Sequence, residues 1–209
     1  MCSTAPLEPG CLAVHLLRRG PGPRRRPAGS GRADPRVQTL LAAHAGQHYN
    51  LSHSGDWLYL AVSACPVGVD LERRAGRHHG AAFRRYLMER EDTRATREPA
   101  EPGSAAEQAL AVRIWSRLES LTKCQGQGLS GSLDGLRVPA GPLTRPWAVE
   151  TAQGRHWLVD LPSPPGMVAC LATPSRPRQI RLHAPDEASA QALFPPTALM
   201  NFKGEDDAS

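Results

Sequence analysis

The stretch AAEQALAVRIWSRLESLTKCQG (residues 105–126) carries the longest uninterrupted helical pattern in the chain, and the rest of the fold has to be arranged around it. At about 100° per residue, Ala111, Ile114, Leu118 and Leu121 form a narrow apolar stripe that should pack inward. Trp115, Glu119 and Lys123 follow at i, i+4 and i+8 along an adjacent stripe, and GQGL beyond Lys123 stops the helix. Elsewhere 20 Pro and 19 Gly cut the chain into short pieces. CLAVHLL (11–17) has the apolar content of a short strand, and RRGPGPRRRPAGSGR after it reads as a loop. PRVQTLLAAHA predicts a helix with Val37, Leu40, Leu41 and His44 along one face. HYNLSHSG leads into DWLYLAVSA, of alternating apolar character. A turn at Pro66 and the strand VGVDLE follow, and an antiparallel pair is expected here. AAFRRYLMEREDTRA (81–95) predicts a helix broken by REPAEPGS. After the long helix, LRVPA, PWAVET, HWLVDL, GMVACLAT and QIRLHA are strand candidates, and NFKGEDDAS reads as a frayed acidic tail. Strands and helices mix without strict βαβ alternation, so the expected class is α+β.

The strand PVGVDLERR (66–74) poses a chemical question. Side chains alternate along an extended segment, so Val67, Val69 and Leu71 share one face and Gly68, Asp70 and Glu72 the other. Carboxylates held side by side repel unless solvent, a proton or a cation lies between them. A solvated strand face would answer this, as a surface ion pair would answer Glu119 and Lys123 at i, i+4. The other answer joins them. Asp70, Glu72 and Glu119 are three hard oxygen donors suited to Mg²⁺, which shares its shell with water and substrate phosphates. Lys123, one turn beyond Glu119, would contact those phosphates as a point charge. The chemistry that follows is metal-assisted attack at phosphorus.

Composition narrows the partners. The net charge is +5 and the pI near 9.3, which favours anionic partners. Lys is nearly absent, at positions 123 and 203 only, so Lys123 stands out against an Arg-rich background. A nucleic-acid binder would need a basic stripe on an ordered element or stacking aromatics, and neither is visible. Five scattered Cys with no CxxC spacing fit free thiols in a reducing compartment. No apolar run approaches the roughly 20 residues that span a bilayer, and the start does not resemble a signal peptide. A cytoplasmic monomer without membrane contact is expected.

These segments together resemble the Sfp-type 4′-phosphopantetheinyl transferases. That family carries a Gly-hydrophobic-Asp-hydrophobic-Glu strand, here Gly68-Val69-Asp70-Leu71-Glu72, then a helix W-[ST]-x-K-E-[AS]-x-x-K, here WSRLESLTK (115–123). The 42 residues between them match the family's spacing, and NLSHSG (50–55) matches its Asn-hydrophobic-Ser-His-Ser element. The resemblance implies two similar α+β halves with the active site at their interface and a shortened N-terminal half. On it, residues 1–65 would form the first half, 66–200 the second, with its metal and pyrophosphate site, and 201–209 a disordered tail. It implies transfer of phosphopantetheine from coenzyme A to a serine of an apo acyl- or peptidyl-carrier protein, releasing adenosine 3′,5′-bisphosphate. Asp70, Glu72 and Glu119 would hold Mg²⁺, and Lys123 would neutralise the leaving charge. Glu119, directly or through water, would be the base, and Ser52 and His53 would contact the nucleotide phosphates. A carrier of this class offers an acidic face, for which Arg84, Arg85, Arg94 and Arg113 are candidates. The chain departs from the pattern in two places. Leu118 stands where the family has Lys, and there is no Gly-Lys-Pro before the Ser-His element, so Arg24, Arg25 and Arg26, or Arg36, are expected to meet the CoA 3′-phosphate. A degenerate member that binds carrier or CoA without transfer is the alternative, and a Mg²⁺-dependent phosphohydrolase sharing the carboxylates by convergence is another.

Overall fold

The computed structural model describes residues 7–18, 32–74, 80–92, 100–127, 133–184 and 197–202. Arg24, Arg25, Arg26, Arg94 and the tail from 203 onward lie outside the described residues. In chain order the elements are β1 (Cys11–Arg18), α1 (Pro35–Ala43), β2 (His48–Ser54), β3 (Trp57–Ser63) and β4 (Gly68–Arg73). They continue with α2 (Ala81–Met88), α3 (Ala105–Cys124), β5 (Trp147–Thr151), β6 (Gly154–Asp160), β7 (Met167–Thr173), β8 (Gln179–His183) and β9 (Thr197–Asn201). The class is α+β, with a five-stranded sheet ordered β2-β3-β1-β8-β9 and a four-stranded sheet ordered β4-β7-β6-β5.

Three apolar clusters stack these elements in layers. One lies between the sheets, with Leu12, Val14 and Leu16 from β1, Val69 and Leu71 from β4, and Ala169 and Leu171 from β7. A second joins the back of the four-stranded sheet to α3 and α2 through Ile114, Leu118, Leu121, Leu158, Cys170 and Ala172. A third packs α1 on the back of the five-stranded sheet through Val37, Leu17, Leu58, Leu60 and Val62. The order is therefore α1, sheet, sheet, helix pair. This explains why β3 is buried from Leu58 to Ser63: its alternation runs between two cores, not between core and water.

Several expectations need correction. The antiparallel pair expected among these segments forms between β2 and β3, but β4 does not join it across Pro66: β3 pairs on its other side with β1, while β4 crosses to the other sheet and pairs antiparallel with β7. The second helix ends at Met88, because the backbone of Arg90 and Asp92 is committed to Val138 at 2.9 and 2.8 Å. LRVPA is accordingly an isolated bridge from Val138 to Glu91 and not a sheet strand. The first sheet is not confined to the first part of the chain, since β8 pairs parallel with β1 and β9 antiparallel with β8. Asn201 belongs to β9 and Phe202 packs against the inter-sheet core, so order extends past residue 200.

α3 begins at Ser104, whose side chain accepts a hydrogen bond from the Glu107 amide, as an N-cap does. It is buried on more than its apolar stripe: Ser116, Arg117, Ser120 and Thr122 are also buried. Arg117 is 0% exposed and donates to both Asp160 oxygens at 2.7–3.1 Å, to the Gly141 carbonyl at 2.8 Å and to the Pro139 carbonyl. A guanidinium so placed is tolerable because its donors are taken up by a carboxylate and carbonyls. In the second half of the helix, Trp115, Glu119 and Lys123 are left half-buried between fully buried neighbours.

Candidate active site

The strand face carrying Gly68, Asp70 and Glu72 turns to α3, while Val67, Val69 and Leu71 turn to the inter-sheet core. Gly68 makes this approach possible. A Cβ there would collide with the Ser120 carbonyl oxygen and lie 2.5 Å from the Cys124 amide nitrogen. Only hydrogen fits where strand backbone meets helix backbone. A solvated face is excluded, because Asp70 is 1% exposed.

β2 reaches the same place from the other sheet. β4 is an edge strand, and its outward amides are capped by side chains of β2. Val69 N–H donates to Asn50 Oδ1 and Leu71 N–H to Ser52 Oγ, both at 3.1 Å. The Ser52 hydroxyl then donates to Asp70 Oδ1 at 3.0 Å. Two residues of one strand thus join the sheets and orient the buried carboxylate.

The ligand oxygens of Asp70, Glu72 and Glu119 all lie within 4.8 Å of one another. Lys123 Nζ sits among them, 2.9 Å from Asp70 Oδ1, 3.2 Å from Glu119 Oε1 and 3.3 Å from the Val69 carbonyl. The i, i+4 pair of Glu119 and Lys123 does form, but it is drawn inward and shared with Asp70. One ammonium cannot balance three carboxylates. Burial first, then Asp70 and Glu119, push the Glu72 carboxyl up to about 7, against a hydrogen bond from Trp115 Nε1 at 3.3 Å and the charge of Lys123. Burial and Asp70 likewise raise Glu119. Burial would lower Lys123, but Asp70 and Glu119 overcome it and hold the ammonium above its ordinary value.

The residues fit a hard divalent cation. Asp70 Oδ2 is buried without a hydrogen-bond partner, and the donors facing it are carboxylate oxygens. A cation there would complete Asp70 and offset the burial and mutual repulsion that raise Glu72 and Glu119.

The carboxylates and Lys123 line a cleft of about 340 Å³ with Ser52 and His53, Asn50, Leu51 and Leu58, Tyr49 and Arg32. His53 is exposed on β2. Arg36 is not brought to the cleft: it folds back on the α1 N-cap Asp34 through hydrogen bonds of 3.0 and 2.7 Å. Arg32 stands in its place, with its guanidinium 5.4 Å from the Tyr49 ring centroid. Neither Arg32 nor Tyr49 was singled out by the sequence. The Tyr before the Asn of NLSHSG was the only available signal. Of the arginines considered for a carrier face, Arg84 pairs with Glu107 at 3.2 Å, Arg113 donates to the Ala140 carbonyl, and Arg85 is exposed on α2.

The 4′-phosphopantetheinyl transferase superfamily model matches residues 66–171, from the turn before β4 through α2 and α3 into β7. The chain belongs to this superfamily. The matched span contains Asp70, Glu72, Glu119 and Lys123, while Ser52, His53, Tyr49 and Arg32 precede it. Among curated relatives the chain is 36% identical over 86 residues to 4′-phosphopantetheinyl transferase psf-1 of Bacillus pumilus, covering 41% of this chain and 35% of that protein. It is 32% identical over 91 residues to 4′-phosphopantetheinyl transferase ffp of Bacillus subtilis, covering 44% and 38%. It is 30% identical over 91 residues to 4′-phosphopantetheinyl transferase Sfp of Bacillus subtilis (strain 168), again covering 44% and 38%. The chain therefore spans little more than a third of the length of these relatives. The two sheets and three helices of the described residues are compatible with the superfamily's fold. No helix among them is long and apolar enough to cross a membrane.

Proposed function

We propose that the protein transfers 4′-phosphopantetheine from coenzyme A to a serine of an apo acyl- or peptidyl-carrier protein, releasing adenosine 3′,5′-bisphosphate. The observation that carries this reading is the carboxylate trio around buried Asp70, with Asp70 Oδ2 unpartnered and Lys123 beside it, lining a cleft in a chain of this superfamily. We read α1 with its sheet and α2–α3 with theirs as the family's two halves, and the cleft as their meeting at β2 and β4.

Asp70, Glu72 and Glu119 would hold Mg²⁺, which when bound supplies positive charge to the CoA pyrophosphate. Lys123 faces the same phosphates and offsets charge gathering on the leaving oxygen. Glu119 would take the proton of the carrier serine, directly or through water. The serine oxygen bonds to the phosphorus that bears the pantetheine arm. The bond from that phosphorus to the oxygen shared with the adenosine side breaks, and its electron pair leaves on adenosine bisphosphate. Ser52 is committed to Asp70 and to β4, so its contribution is to hold the site; exposed His53 is the member of that pair free to meet a phosphate. Elsewhere in the cleft lining, Arg32 offers a guanidinium fork to the nucleotide phosphate and Tyr49 a ring face to its base. The carrier approaches with its acidic face toward exposed basic groups such as Arg85. Cys11, Cys65, Cys124 and Cys170 are free thiols, in keeping with the reducing cytoplasm, where we place the protein as a monomer.

Intact-mass spectrometry of apo carrier domains incubated with the protein, coenzyme A and Mg²⁺ tests this. The expected result is a mass increase of one phosphopantetheine that disappears when the cation is chelated. Well-folded carriers that stay unmodified while coenzyme A binds would replace the reading with a binding module.

A further inference from the structure

β2 meets β4 through side chains, and the two residues that make the contact are not equally spent. Asn50 and Ser52 leave the same face of β2, two residues apart. They accept from two outward amides of the edge strand β4, also two residues apart: Asn50 from Val69 and Ser52 from Leu71. The matched spacing lets a pair of side chains stand in for the strand that an edge lacks.

A hydroxyl has one hydrogen to give. That of Ser52 goes to Asp70 Oδ1 at 3.0 Å, while its oxygen accepts from Leu71 and lies 3.4 Å from Lys123 Nζ. Ser52 therefore has no donor left for a ligand. Asn50 does. The Val69 N–H is a donor and can be met only by oxygen, which fixes the amide: Oδ1 turns to β4, and Nδ2 with its two hydrogens takes the other side. Nδ2 has no hydrogen-bond partner among the described residues, and it is not among the buried orphaned atoms, so it stays open to solvent. Asn50 is half-buried and lines the same cleft as Lys123, His53 and the carboxylates. A donor without charge has a use there. The carboxylates repel a phosphate, and a neutral N–H binds a phosphate oxygen without being drawn onto those carboxylates as a further cation would be.

We propose that Asn50 is a two-sided ligand-binding residue: its Oδ1 holds the carboxylate-bearing strand β4, and its Nδ2 donates a hydrogen bond to a phosphate oxygen of coenzyme A in the cleft. The inference rests on the transfer reading. It gives Asn50 the phosphate contact that the sequence pattern assigns to Ser52.

Two substitutions of similar size separate the halves. Asn50→Asp keeps the acceptor for Val69 and puts an oxygen that repels phosphate in place of the donor. Asn50→Leu loses both. Mn²⁺ binding without coenzyme A, followed by electron paramagnetic resonance, reads the strand. Calorimetric titration of coenzyme A at saturating Mg²⁺, without carrier, reads the donor. Mn²⁺ should bind about tenfold more weakly to Asn50→Leu and at least as tightly to Asn50→Asp. Coenzyme A should bind about tenfold or more weakly to both. Hydrogen exchange at the Val69 amide should quicken in Asn50→Leu and not in Asn50→Asp. Coenzyme A affinity left unchanged in either variant overturns the donor. Mn²⁺ affinity and Val69 exchange left unchanged in Asn50→Leu overturn the hold on β4. Asn50→Asp keeps the donor falsifiable even if Asn50→Leu fails to fold. Unaltered protein that binds no coenzyme A overturns the transfer reading and this inference together, whereas binding indifferent to the substitutions overturns only the inference.

Discussion

Replacing Glu72 by Gln should make the metal-free protein more stable. Glu72 ordinarily titrates near 4.5 but is pushed to about 7, by burial first and by Asp70 and Glu119 after it. Between these values the folded chain binds a proton that the unfolded chain does not, so stability falls as pH rises from about 4.5 to about 7 and is level above. The displacement corresponds to about 3 kcal/mol. Glu72 is only half-buried, and solvent screening reduces this to about 1–2 kcal/mol. Gln keeps an acceptor for Trp115 Nε1 and removes only the charge. For a chain of this size the midpoint should rise by roughly 2–8 °C at pH 8 without divalent ions. At pH 5 the two proteins should melt nearly together. Mg²⁺ at pH 8 should stabilise the unaltered protein and not the variant, and carrier modification should be lost. Thermal melts followed by circular dichroism, at both pH values with and without Mg²⁺, decide this. A gap of the same size at pH 5 and pH 8, or a variant less stable at pH 8, would refute the electrostatic account of the site.

Gly68→Ala forces β4 away from Ser120 and Cys124 and should cost about 1–3 kcal/mol; it should also abolish Mg²⁺-induced stabilisation, which melts with and without the ion reveal. Leu118→Lys restores the family's residue but buries an unpaired ammonium at a position 0% exposed. It should lower the midpoint sharply without raising transfer, and a soluble, equally stable and more active variant would contradict this packing. Arg32→Ala should raise KM for coenzyme A about tenfold with kcat little changed, the effect of one lost charged hydrogen bond; steady-state kinetics of apo-carrier modification tests it.

Much of the site was legible in the sequence because its geometry is local. The alternation of PVGVDLERR places Gly68, Asp70 and Glu72 on one face, and helical spacing aligns Trp115, Glu119 and Lys123, whatever the rest of the chain does. The boundaries of α3 follow from its own pattern and its capping residue. Other local readings failed where long-range bonds intervened. The second helix stops at Met88 because Val138, far along the chain, takes the backbone groups that would have extended it.

What the chain determined by itself was an α+β composition of elements and two half-sites, a strand of carboxylates and a helix carrying a third with its lysine. Whether those half-sites met was decided by tertiary structure. Asp70 is buried rather than solvated because Gly68 lets β4 lie against α3 and because Asn50 and Ser52 tie that strand to the other sheet. Arg32 reaches the cleft and Arg36 does not, because Asp34 captures Arg36 at the start of α1. β8 and β9 return to the first sheet because their apolar faces complete the inter-sheet core. Periodicity records which face a side chain leaves from; only packing between distant segments sets what it meets there.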